Sequence, residues 1–141
     1  MMNAFLIAAA FLGGAAQTVA DGNPVELPPE IAAHVPKNLR GYFLVFVVTP
    51  AQPKEMSEEL FARHQAYLRK QIEAGTLRLV GPVTDGGRIR GMKIISAATI
   101  DDARKIAEGD PAVQEKVLDV EVHPVTLPSL STLKIEYADP K

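Results

Sequence analysis

The run Tyr42-Phe43-Leu44-Val45-Phe46-Val47-Val48 carries no charge and is dominated by aromatic and β-branched residues. Side chains alternate between the two faces of a strand, so a run this continuous predicts a strand that is apolar on both faces. Downstream, Pro50 and Pro53 end it. Ser57 is placed to cap a helix whose first turn holds Glu58 and Glu59, the right charges for the positive end of the helix dipole. Leu60, Phe61, His64, Tyr67, Leu68, Gln71 and Ile72 then recur at spacings of three and four as one stripe, and Gly75 supplies the stop.

Residues 76–83 form a second strand closed by Gly81-Pro82. Thr84-Asp85-Gly86-Gly87 is a strong hairpin turn, and residues 89–96 return as a third strand. Thr99-Ile100-Asp101-Asp102 resembles a capping box ahead of a second helix, with Ile100, Ala103, Ile106 and Ala107 on its apolar face and Gly109 at its end. Asp110-Pro111 opens a further helical turn. Residues 117–125 then alternate, with Leu118, Val120 and Val122 to one side and Asp119, Glu121 and His123 to the other. The order is β-α-β-β-α-β, which predicts an α+β, ferredoxin-like fold: an antiparallel sheet with both helices on one face. The other face of the first strand is also apolar and needs a cover. A second copy of the same sheet is the simplest one, so a homodimer is expected. Leu130, Leu133 and Ile135 in the tail (residues 126–141) alternate weakly and suit an edge strand or a crossing to the second subunit.

Residues 1–20 hold 15 apolar residues and no charge, whereas the remaining 121 are about 42% apolar. The unbroken apolar run 4–12, the break at Gly13-Gly14 and the small residues before Asp21 read as an export signal, which implies a periplasmic or secreted protein without a membrane attachment after cleavage. A membrane anchor competes, but its apolar stretch of about 17 residues is broken by two Gly and a Gln, against the ~20 residues a span needs. A misassigned cytosolic start is the third reading. Residues 21–40 hold Pro24, Pro28, Pro29 and Pro36, which predicts an extended arm over a domain at 41–125. The net charge of −2 offers no footprint for a phosphate backbone, so nucleic acid is not an expected partner. The absence of cysteine removes disulfide scaffolds, thiolate zinc sites and thiol nucleophiles.

His64 sits inside the apolar stripe of the first helix and should face the sheet. An imidazole there can act as general base and acid if a partner fixes its tautomer, or it can be a core histidine bonded to a carbonyl. Asp110 before Pro111 is a good helix N-cap, yet a carboxylate can also orient an imidazole. The two roles are compatible, because one oxygen can cap while the other meets the ring. His123 on the polar side of the last strand and His34 in the arm read as solvated. No pair of histidines has ligand spacing, so no metal is expected. Tyr42 and Tyr67 can line a pocket or simply pack. Arg90, with Arg88 near the hairpin, can attract an anion or stay solvated.

Several ordered pieces resemble the YCII-related (YciI-like) domain family: His64-Gln65-Ala66-Tyr67-Leu68, Glu73-Ala74-Gly75-Thr76-Leu77, Val80-Gly81-Pro82, Arg90-Gly91-Met92 and Ala107-Glu108-Gly109-Asp110-Pro111-Ala112-Val113. The likeness spans roughly residues 41–125. It implies a dimeric ferredoxin-like fold of the α/β-barrel type, with a histidine–aspartate pair that corresponds to His64 and Asp110 in a cleft near the dimer interface. Some members are dehalogenase- or lyase-like. The chain departs from the family at Ala112, where an aromatic is common, and at Gln114-Glu115-Lys116, where a glycine is usual.

Three functions follow as expectations. The first is a cofactor-independent lyase or isomerase in which His64 moves a proton on a small molecule of aromatic or lactone-like character, under orientation by Asp110; no nucleotide-binding motif is present. The second is a non-catalytic small-molecule-binding module. The third is a structural homodimer with a buried histidine pair.

Overall fold

Leu39–Val48 forms β1, an inner strand with a neighbour on each edge; Phe43 and Val45 enter the core, and Tyr42 on the other face is buried as well. The structure, a computed structural model, describes residues 21–136; the expected leader and the end of the tail lie outside them. A single turn, α1 (Pro29–Ala32), precedes β1. After it come α2 (Glu58–Glu73), β2 (Leu77–Pro82), β3 (Ile89–Ile95), α3 (Ile100–Glu108), α4 (Pro111–Gln114) and β4 (Asp119–Pro128). The sheet has the order β2-β3-β1-β4 and every adjacent pair is antiparallel. This is the ferredoxin-like arrangement the sequence predicts, with β3 inserted between β1 and β2.

Register fixes which residues share a face. Phe43 lies opposite Ile95 and Pro124, and Val45 opposite Lys93 and Val122. Phe43, Val45 and Ile95 form the core with Leu68 of α2 and with Ala103, Ile106 and Ala107 of α3. Burying Leu68 or Ile106 contributes about 2 kcal/mol apiece. β1 and β4 are longer than the sequence pattern suggests, because Leu39 and Arg40 pair with Pro128 and Leu127. Pro124 and Pro128 are tolerated because β4 is an edge strand, where a missing amide donor breaks no inner ladder.

The helix ends follow their residues. Ser57 Oγ accepts from the Leu60 amide at 3.1 Å, and Thr99 Oγ1 accepts from the Asp102 amide at 3.1 Å. Gly75, just past α2, has φ +79, the left-handed turn only glycine takes freely. Gly109 ends α3 for a different reason. Its φ is an ordinary −76, but a Cβ there would sit 2.5 Å from the Tyr67 hydroxyl oxygen. Phe61 departs from the expected stripe: it is 51% exposed, with its ring centroid 6.2 Å from that of His64.

The arm is less extended than its prolines suggest, since Pro29 starts the turn α1. Asn23 bridges to Gly41, and the Gly22 amide donates to Ser96 Oγ at 3.0 Å. Tyr42 points away from the helices and is 1% exposed. Its hydroxyl donates to Asp21 Oδ1 at 2.6 Å and accepts from the Leu130 amide at 2.8 Å, while Ser129 donates to Asp21 Oδ2 at 2.5 Å. Arm and tail therefore cover one end of the open sheet face, and Leu44, Phe46 and Met92 stay half-buried beyond them. The tail adds no strand among the described residues.

Gly109→Ala is expected to cost about 1–3 kcal/mol by overpacking against Tyr67. Tyr67→Phe removes the obstructing oxygen and should recover part of that loss. Urea unfolding of both single variants and the double variant measures the coupling.

Candidate active site

Three elements converge on one carboxylate. α2 carries His64 on its sheet-facing side, β3 carries Lys93 on the helix side opposite Val45 and Val80, and Asp110 caps α4. Asp110 is 0% exposed. Its Oδ1 accepts from the Ala112 amide at 2.9 Å, which is the cap. His64 Nδ1 lies 2.7 Å from Oδ2 and 2.9 Å from Oδ1, and Lys93 Nζ lies 3.4 Å from Oδ2. The cap and the imidazole contact thus coexist on one side chain.

Burial alone would raise the Asp110 carboxyl, but the His64 hydrogen bond, the Lys93 ammonium and the Ala112 amide outweigh it and hold it below its usual value. The group is therefore ionised at neutral pH. An ionised carboxylate can only accept, so the proton shared with His64 resides on Nδ1, and in the neutral ring the lone pair is on Nε2. Burial pushes the Lys93 ammonium down, and attraction to Asp110 offsets this only in part. Tyr67 is raised by burial and then by the Asp110 charge.

His64, with a side chain 12% exposed, lines a largely apolar cavity of about 450 Å³ together with Leu68, Val80, Arg90, Lys93 and Leu118. Few polar groups in an apolar cavity of that size suit a small organic ligand. Of the residues expected to touch a ligand, Arg90 lines this cavity. Tyr67 is turned aside, its hydroxyl donating to the Ile106 carbonyl at 2.7 Å. Tyr42 is on the wrong face: strand alternation sends it to the open side, where it holds the arm and tail. Arg88 pairs with Glu121 at 2.6 Å, and exposed His123 meets the edge of Phe46 with ring centroids 5.8 Å apart. No group of metal-ligating side chains occurs among the described residues. Lys93 was not anticipated. Its signal was present, since it is the one charge within Gly91-Met92-Lys93-Ile94-Ile95, the stretch of inner strand β3 that follows Arg90.

The YCII-related domain model matches residues 42–126. Comparison with curated proteins gives no match. Among solved structures, the chain is similar to the 5-chloro-2-hydroxyhydroquinone dehydrochlorinase of Burkholderia phenoliruptrix AC1100 in complex with 2,5-dihydroxybenzoquinone. The identity is 20% and the TM-score 0.47, over 58% of this chain and 90% of that one.

The folded-state pKa of Asp110 lies below its ordinary value of 3.8, so its charge adds stability that is present above that value and lost as pH falls through the lowered one. Asp110→Asn should cost about 3–5 kcal/mol at neutral pH, because it leaves the Lys93 charge buried and uncompensated. The gap to wild type should narrow in acid, and adding Lys93→Met should recover much of it. Urea unfolding at neutral and acid pH reads both effects.

Proposed function

The chain belongs to the YCII-related domain family, and on that footing we propose that it is a cofactor-independent enzyme of the lyase or isomerase type acting on a small molecule. One observation carries the reading: His64 Nδ1 is fixed on buried, ionised Asp110 while the ring lines an apolar cavity. In such a site Nε2 takes a proton from the substrate, and the imidazolium that forms is stabilised by the Asp110 carboxylate. Returning that proton to a different atom is an isomerisation. Delivering it to a departing group is an elimination.

The working unit of this reading is a homodimer. Leu44, Phe46 and Met92 form an apolar strip on the sheet face opposite the helices, and a second copy would bury it. The uncharged apolar leader supports export to the periplasm or beyond.

Exchange of solvent deuterium into a panel of small carbon acids, followed by NMR, tests the chemistry. Wild type should catalyse exchange or turnover of at least one compound, and His64→Asn should lower that rate by about 10²–10⁴-fold with the fold intact. Tight binding without exchange would favour the binding-module reading, and a loss of stability as the main effect would favour the structural one.

Sedimentation of the full chain at micromolar concentration should give twice the chain mass, and Phe46→Lys should give the monomer. A monomeric wild type would remove the dimer from the proposal.

A further inference from the structure

Lys93 compensates the Asp110 charge, yet that contact uses only part of what an ammonium offers. It is 4% exposed, on the floor of the cavity beneath α2, and among the described residues its hydrogen-bond partner is Asp110 alone. That contact, at 3.4 Å, is long for a charge-assisted hydrogen bond, and Asp110 Oδ2 is already engaged by His64 at 2.7 Å. An ammonium has three donors, so Lys93 brings unspent hydrogen-bonding capacity into an apolar cavity. Burying such a group costs several kcal/mol, and a methionine of similar shape would avoid that cost. The unspent donors on the cavity floor make sense if a bound molecule takes them up.

The charge count says what that something is. With His64 neutral, Lys93 and Asp110 cancel. Once His64 has taken a proton, the three groups carry one net positive charge in a poorly solvated space, and a singly negative oxygen balances it. We infer that Lys93 is the oxyanion-binding residue of the site, and that the substrate is a small apolar carbonyl compound with an acidic C–H beside the carbonyl. The inference rests on the proton-transfer reading of His64. His64 Nε2 accepts the proton as the C–H bond breaks. The electron pair of that bond moves into the carbon skeleton, and the negative charge appears on the carbonyl oxygen held by Lys93 Nζ. The proton then returns from His64 to another carbon or to a leaving group, which restores the neutral ring. Arg90, at the same cavity, is exposed and better hydrated, so it is the weaker claimant for the oxygen.

An enolate can be imitated by a phenolate whose colour reports its ionisation, and 4-nitrophenol is the probe. Titrated into the full-length protein at a pH where the free probe is mostly neutral, it should bind as the yellow phenolate, whereas nitrobenzene should bind weakly. Lys93→Met should lower affinity by roughly tenfold or more and abolish the phenolate band, because a charged hydrogen bond is lost. Lys93→Gln, which keeps a donor without the charge, guards against a folding defect and should also lose the band. Arg90→Gln should retain it. Turnover of any substrate found should fall on the order of 10²-fold in Lys93→Met, mainly in kcat. A phenolate band that survives in Lys93→Met and Lys93→Gln, or that vanishes in Arg90→Gln instead, overturns the assignment and leaves the His64 reading to its own exchange test. Absence of detectable 4-nitrophenol binding to wild type at millimolar concentration overturns it as well.

Discussion

A carboxylate withdrawn completely from water is the constraint around which this domain is arranged. Ionised Asp110 must find compensation for its lost hydration, and it does so from three directions: the Ala112 amide at the start of α4, the imidazole of α2 and the ammonium of β3. Each partner lies on a different element, so the charge sets how α2 and α4 sit on the sheet. The helix cap alone would be a routine local feature. The lysine alone would be an uncompensated charge in the core. Together they form a neutral pair that fixes the position of a histidine, and the apolar cavity beside it makes that position chemically useful.

Much of this was legible in the residues, and the exceptions share a cause. Ser57, Thr99, Gly75 and Asp110-Pro111 act through contacts a few residues away, and each does what its type and place suggest. The run 42–48 and the alternation of Val120 and Val122 were enough for the sheet. The misreadings depend on partners distant in sequence. The extra length of β1 comes from pairing with the far end of β4. The role of Tyr42 depends on which face of β1 the helices cover, which period two alone does not specify. Phe61 has the right spacing and is half exposed all the same. His64 and Asp110 are compatible partners by residue type, and the likeness to a family singles the pair out, since 46 residues separate them. Lys93 was passed over because one charge in a strand looks like a solvated position until the strand is known to be internal.

The departure near residue 116 has a backbone explanation. Lys116 has φ +62, the left-handed region, as α4 closes with the Val117 and Leu118 amides both donating to the Ala112 carbonyl. A glycine enters that region without a steric penalty; here an exposed lysine accepts about 1 kcal/mol of strain to make the turn. Asp110 keeps its cap and α4 its exit, so the substitution leaves the centre of the site undisturbed.

The clasp at Tyr42 has a meaning for the compartment in which the protein would work. Asp21 and Ser129 are 108 residues apart, and their hydrogen bond, with the two that meet at the Tyr42 hydroxyl, closes nearly the whole domain into a loop. Small exported domains commonly close such loops with a disulfide, whose presence depends on oxidising surroundings. This chain has no cysteine, and it ties its ends with a carboxylate, a phenol and an alcohol. That closure needs no oxidant to form and no reductant can open it, so the domain is equally sealed on either side of a membrane.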